Sequence, residues 1–216
     1  TASNGKTIVK QWLSQLLSPD MVVTRSPRSY NSQIGVPLSV WLLDEQSEVA
    51  LFEAGISKPG EMQALRDIIQ PTIGVFTCLG AAHQENFASM EDKLKEKLTL
   101  FHDAKSVVYC MDDEMVTKTI AQLAYKGEQL AWSRHNPKAP FFVSKVEKGD
   151  SSTHISYIYN GESASYETPF IDDASVMNSI TCAVVARHLG LSADTLAQRM
   201  PLLEPVAMRL DRKSTR

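Results

Sequence analysis

The sequence predicts an α/β fold. It reads as a mostly parallel sheet of the phosphate-loop (P-loop) type, flanked by helices, with a small antiparallel β patch in the second half. Three observations carry this. Up to about residue 126, short apolar runs suited to buried strands alternate with helical stretches. Beyond it, four strand-like runs follow one another with only turn residues between them. The chain also carries Gly5-Lys6-Thr7 directly before a helical run, which is the chemically expressive half of a Walker A motif.

The elements follow in order. Thr7 to Leu17 has helical periodicity, and Met21 to Thr24 reads as a short strand. Val36 to Leu43 is expected to be a helix with Pro37 in its first turn, where the missing N–H costs nothing. Glu48 to Glu53 is a strand, Glu61 to Ile69 a helix after Pro59-Gly60, and Thr72 to Cys78 a strand. Met90 to Phe101 is an amphipathic helix with Ser89 as N-cap. Ser106 to Met111 is a strand and Asp113 to Tyr125 a helix. The antiparallel patch comprises Gln129 to Arg134, Phe141 to Val146, His154 to Tyr159 and Ala164 to Phe170. A long helix from Ala174 to Leu189 ends at Gly190, and a second runs from Ala193 to Met200 behind Ser192. The change of rhythm near residue 126 is read as lying within one domain.

Composition narrows the function. Of 216 residues, 43% are hydrophobic and 22% charged, enough for a sizeable core. Lys and Arg number 22 against 25 Asp and Glu, a net charge of −3, so no nucleic-acid or membrane partner is expected. The three cysteines Cys78, Cys110 and Cys182 are widely spaced in apolar runs, without a CxxC pair. They read as small buried hydrophobes in a reducing, cytoplasmic protein. No apolar stretch reaches the roughly 20 residues of a membrane span.

A helix N-terminus with free backbone amides favours phosphate oxygens. A lysine there reaches the outer phosphates, and a Thr hydroxyl can ligate magnesium. GKT alone also occurs in ordinary surface turns. The blocks that follow it decide the matter. Thr1 to Thr7 (TASNGKT) resembles the loop T-G-[ST]-x-G-K-[TS] of the Mur ligases. In that family's order come Tyr30 to Pro37 (YNSQIGVP), Phe52 to Gly55 with Lys58 to Met62, Gly80 to Glu85 (GAAHQE), Asp173 to Asn178, and Pro205 to Arg209. Each block is weak, but the ordered set spans essentially the whole chain. IGVPL and AHQENF resemble most the member that adds D-alanyl-D-alanine to UDP-N-acetylmuramoyl-tripeptide. The wording of MEDKLKEKLTLF and RMPLLEPVAMRLD is similar to the Bacteroidetes version, often fused to an alanine racemase.

The resemblance implies an ATP-dependent amide ligase of peptidoglycan synthesis that works with magnesium. ATP phosphorylates a carboxylate and an amine attacks the acyl phosphate. It makes Ser3, Asn4, Gly5, Lys6 and Thr7 the nucleotide loop, with Lys6 on the β/γ-phosphates. Thr7 and Glu53 would hold a first magnesium, and Glu53 sits at a strand end where such sheets face their ligands. His83 would ligate a second metal ion, with Glu85 near the same shell. Lys97, fourteen positions after His83, would be carbamylated and join it, with Lys93 one helical turn earlier as the alternative. Asn178 would face the adenine, Arg209 the nucleotide or the interdomain hinge, and Asn31 the muramoyl peptide. The lysines also read as a solvated helix stripe, and Glu53 as a solvated strand end. His102, His135, His154 and His188 match nothing. Trp12, Trp41 and Trp132 read as core or interface.

The chain departs from the family pattern at two places. Ala2 stands where the loop has Gly, which would strain a position needing positive φ. Met177 stands before Asn178 where many members have His. Residues 1–210 read as the central ATP-binding domain and 211–216 as the start of a linker. A UDP-sugar domain before it and a C-terminal domain after it would complete the enzyme, so the chain alone is expected not to turn over. The competing readings are a folylpolyglutamate synthase- or cyanophycin-type ligase domain, a non-catalytic nucleotide-binding module, and a P-loop kinase.

Overall fold

The computed structural model of the protein describes residues 1–80 and 86–206. Helix α1 (Lys6–Leu17) leads into β1 (Val23–Arg25), α2 (Gly35–Val40), β2 (Val49–Leu51), α3 (Glu61–Ile69) and β3 (Ile73–Val75). Then come α4 (Met90–Leu98) with a 3₁₀ turn at Thr99–Phe101, β4 (Ser106–Cys110), α5 (Glu114–Gln122) and β5 (Glu128–Ser133). The second half holds β6 (Phe141–Lys148), β7 (Thr153–Tyr159), β8 (Glu162–Thr168), α6 (Asp173–His188), α7 (Ala193–Arg199) and a 3₁₀ turn at Met200–Leu202. The helix starts are set locally. Ser89, Asp113, Asp172 and Ser192 each accept the backbone N–H three residues on, which satisfies an orphan donor of the first turn.

Strands β1 and β2 form a parallel pair, and β3 to β8 form a six-stranded sheet in sequence order. The antiparallel patch is therefore confined to β6, β7 and β8; β5, expected within it as Gln129 to Arg134, is instead parallel to both of its neighbours. Pairing of Trp132 with Phe141 and Ser133 with Phe142 joins β6 parallel to β5 and makes one sheet of the two halves. That parallel pair needs no long crossover, because β6 begins beside the end of β5. The loop has only to step sideways. Strands β6, β7 and β8 then pair antiparallel. The turn between β7 and β8 is Asn160-Gly161, with φ of 52° and 78°. Positive φ at both central positions is what the strand twist requires there, and Asn-Gly supplies it cheaply.

Alternation along the strands splits the core in two. Val108, Cys110, Leu130 and Trp132 face α1 and α6, together with the aromatic inner row of β6 to β8. Val107, Tyr109 and Ala131 face the opposite layer, built on Met62 and Leu65 of α3, Leu94 and Leu98 of α4, and Val116 and Ile120 of α5. The parallel half is thus covered on both faces, and all five residues of β4 are buried. Strand β7 alternates buried and more exposed residues, as in a sheet with one face toward water.

Three expectations change. The predicted helix from Val36 to Leu43 stops at Val40, so Trp41 lies past its end and is 86% exposed, while Trp12 and Trp132 are core. Cys110 and Cys182 are buried, but Cys78 is only partly covered and lies beside the glycine loop. The stretch Leu123 to Tyr125 leaves the helix, since α5 ends at Gln122 and Ala124 adopts φ 48°. Among the described residues, no helix is long and apolar enough to cross a membrane.

Candidate functional site

The loop Thr1 to Gly5 runs from the strand ends into α1. Gly5 is its N-cap with φ 82°, a conformation that L residues enter only at a cost, and its carbonyl accepts from Val9 N–H. The chain segment Thr77 to Gly80, following β3, fixes the loop from one side. Ser3 N–H donates to the Cys78 carbonyl at 2.9 Å, Gly80 N–H donates to Ser3 Oγ at 2.9 Å, and the Thr77 hydroxyl donates to the Asn4 carbonyl. Thr77 and Cys78 were not legible as site residues, since TCLG reads simply as the end of a buried strand.

Ala2 resolves the first departure. It is fully buried and is not among the residues with positive φ, so alanine is accommodated without left-handed strain. Its carbonyl instead collects cations. Lys6 Nζ donates to it at 2.9 Å and to the Ser3 carbonyl at 3.3 Å, and Lys97 Nζ donates to it at 3.2 Å. Lys93 Nζ donates to the Gly80 carbonyl at 2.6 Å. Both helix lysines are buried, Lys93 to 1% and Lys97 to 4% exposure, whereas Lys95 is in water beside Glu91. The solvated-stripe reading therefore holds for Lys95 alone. Burial, reinforced by Lys6 and Lys93, holds the Lys97 ammonium down to about 8. Burial likewise lowers Lys6, offset by Glu53.

Glu53 is not a solvated strand end. It is 2% exposed, just beyond β2, and its two oxygens are divided. Oε2 accepts from the Thr7 hydroxyl at 3.0 Å and from Asn31 Nδ2 at 3.5 Å. Oε1 lies 2.7 Å from Lys10 Nζ. Lys10 was missed as well. Its only signal was a lysine on the otherwise apolar face of α1, between Val9 and Trp12. Asn178, on the second turn of α6, lies against Gly5: a Cβ on Gly5 would meet its Oδ1 at 2.5 Å. The structure so brings Lys6, Thr7, Glu53, Asn31, Lys97 and Asn178 around one loop. His83, Glu85 and Arg209 lie outside the described residues.

A cleft of about 400 Å³ opens next to the loop, lined by Ser3, Lys6, Asn31, Gln33, Ile34 and Lys97 among others. Its far wall is held by Glu61, which accepts from Ser57 N–H at 2.7 Å and Lys58 N–H at 2.9 Å. Those amides lower the Glu61 carboxyl below the usual range. Glu96 of α4 accepts from Gly60 and Met62 N–H, tying the Pro59-Gly60-Glu61 turn to the helix that carries Lys93 and Lys97.

The family model of the Mur ligase middle domain matches residues 1–186. The chain belongs to the Mur ligases. This Mur ligase domain is 27% identical over 216 residues to the UDP-N-acetylmuramoyl-tripeptide–D-alanyl-D-alanine ligase of Bacillus subtilis, covering 98% of the chain and 45% of that protein. It is 31% identical over 205 residues to the enzyme of the same name from Buchnera aphidicola, covering 94% and 43%. The chain spans about half the length of the curated relatives it matches. Among solved structures it resembles MurF from Acinetobacter baumannii, at a TM-score of 0.86 and 20% identity over 97% of this chain and 46% of that one. It also resembles MurF from Thermotoga maritima in complex with ADP, at 0.82 and 23%, covering 95% and 47%. At these identities the structures establish the Mur ligase middle-domain fold.

Proposed function

We propose that this domain binds the ATP of an amide ligase that adds D-alanyl-D-alanine to UDP-N-acetylmuramoyl-tripeptide in cytoplasmic peptidoglycan synthesis. The observation that carries the reading is the convergence of Thr7, Glu53 and Lys6 at the start of α1, in a chain whose relatives bear that ligase name. Free amides of the first turn favour phosphate oxygens, with Ser3, Asn4 and Gly5 shaping the loop. Lys6 stabilises the charge on the transferring phosphoryl group. Asn178 would face the adenine and Asn31 the muramoyl peptide, and Arg209 is assigned to the nucleotide or the interdomain hinge by its place in the family pattern alone.

The donors fit magnesium. A hydroxyl and a buried carboxylate oxygen 3.0 Å apart are hard oxygen ligands, and magnesium is usually held by one or two carboxylates together with substrate phosphates. Bound there, magnesium would neutralise phosphate charge. Thr7 and Glu53 would orient it, and His83 and Lys97 would serve a second ion. Lys97 suits carbamylation, since a lysine titrating at about 8 offers a neutral amine to carbon dioxide.

The test is calorimetric titration of the chain with ADP and magnesium. Wild type is expected to bind, with Thr7→Val and Glu53→Gln weakening it at least tenfold. No binding at millimolar nucleotide would refute the reading. For the substrate, a polypeptide that joins this domain to the flanking domains its relatives' length implies should release phosphate only with UDP-N-acetylmuramoyl-tripeptide and D-alanyl-D-alanine together. Release driven by a folate and glutamate would favour a folylpolyglutamate synthase instead. The chain is similar to a solved structure of L. casei FPGS at a TM-score of 0.67 and 14% identity, covering 92% of this chain and 60% of that one.

A further inference from the structure

Lys10 is buried yet wholly committed. Its Nζ donates to the Ser26 carbonyl at 2.8 Å, to Ser26 Oγ at 3.1 Å and to the Arg28 carbonyl, and it lies 2.7 Å from Glu53 Oε1. The side chains of Lys10 and Glu53 are 3% and 1% exposed. Taking such a pair out of water costs about as much as its mutual attraction returns, so stability alone does not account for it. Geometry does. Thr7 and Lys10 are three apart on α1 and face the same way. The helix therefore offers Glu53 a hydroxyl from its first turn and an ammonium from the next, one to each oxygen.

A glutamate carboxylate on its own turns readily about its last torsion, which is broad and two-fold. Two unlike partners remove that freedom. We propose that Lys10 is a positioning residue: by claiming Oε1, it keeps Oε2 turned toward Thr7 and the phosphate loop, as a single-oxygen ligand for the nucleotide's divalent cation. This rests on the reading of Glu53 and Thr7 as the cation's protein ligands. Outer partners that orient a ligating carboxylate, here the ion pair of Lys10 with Oε1, are worth roughly 10–100-fold in metal affinity. Plain charge repulsion would act the other way, so the sign of the effect is diagnostic.

The experiment is a magnesium titration of ADP binding by calorimetry on the full chain, at fixed ADP, for wild type, Lys10→Met, Glu53→Gln and the double variant. Lys10→Met is expected to raise the magnesium needed for half-saturation about tenfold or more, while metal-free ADP binds as before. On the Glu53→Gln background, Lys10→Met is expected to add nothing. An unchanged or lower magnesium requirement in Lys10→Met overturns the proposal, as does an undiminished effect in the double variant. Should Lys10→Met fail to fold, Lys10→Gln, which removes the charge but keeps a polar amide in the buried site, is read in the same way. Wild type that binds no magnesium–ADP counts against the nucleotide reading instead. Lys10 is then judged by the crystal structure of Lys10→Gln, in which a carboxylate still turned to Thr7 overturns its role.

Discussion

Replacing Gly5 by alanine isolates two costs that the structure keeps apart. The first is conformational. Gly5 holds φ 82°, and an L residue in the left-handed region pays roughly 1–2 kcal/mol. The second is steric. The new Cβ would come within 2.5 Å of Asn178 Oδ1 and 3.1 Å of Thr77 Oγ1, and the first distance is impossible without movement. Asn178 sits mid-helix and nearly buried, so it yields by leaving its rotamer, at about 0.5–1.5 kcal/mol. Gly5→Ala is thus expected to destabilise the chain by about 1.5–3.5 kcal/mol. On an Asn178→Ala background, the clash with Asn178 disappears, the tight approach to Thr77 remains, and the conformational cost of about 1–2 kcal/mol dominates. Urea denaturation of the four proteins measures both numbers, and the difference is the Gly5–Asn178 coupling. Equal costs in the two backgrounds, or a total below about 0.5 kcal/mol, would refute the packing of α6 onto the loop.

Two other predictions test the site and the surface. Because Lys97 titrates at about 8 instead of 10.5, its charged form is penalised in the fold, and the unfolded chain binds more protons between those values. The penalty is complete below about pH 8 and is relieved as pH rises toward 10.5, so in carbon-dioxide-free buffer, where the amine stays unmodified, wild type should gain stability relative to Lys97→Met from pH 7.5 to 10. A pH-independent difference in urea midpoint would sink this. Trp41→Phe should remove the red-shifted, acrylamide-quenchable emission and shift stability by less than about 0.5 kcal/mol, since Trp41 is 86% exposed against 1% for Trp12 and 0% for Trp132. Loss of the blue component instead would contradict the packing.

What was legible in the sequence was whatever local chemistry determines. Periodicity placed α3 at its observed ends, and Ser89 and Ser192 cap as read, because a cap is a contact over three residues. The turn residues between strands marked β6 to β8 as antiparallel, yet they also put β5 in that group, although it is parallel to both neighbours and joins the two halves into one sheet. That depends on two residue pairs between β5 and β6 and leaves no periodic trace. The site divides the same way. Gly5, Lys6 and Thr7 announce themselves as a motif, while Lys10 and Thr77 acquire meaning only through partners 43 and 73 positions away, Glu53 and Asn4. Burial of Lys93 and Lys97 depended on how α4 packs against the loop, and no pattern of charges on one helix reports that.

The Asn160-Gly161 turn has a consequence for how the sheet is made. Strands β7 and β8 are closed by two residues, and β6 and β7 by the four residues 149–152, so their pairing requires little loop-closure entropy. Pairing β3 with β4, and β4 with β5, requires a helix and its connections to be gathered in first. Contacts near in sequence form early, so the hairpins have a kinetic lead over the parallel strands. Once formed, the aromatic inner row of β6 to β8 offers α1 and α6 a surface to settle on.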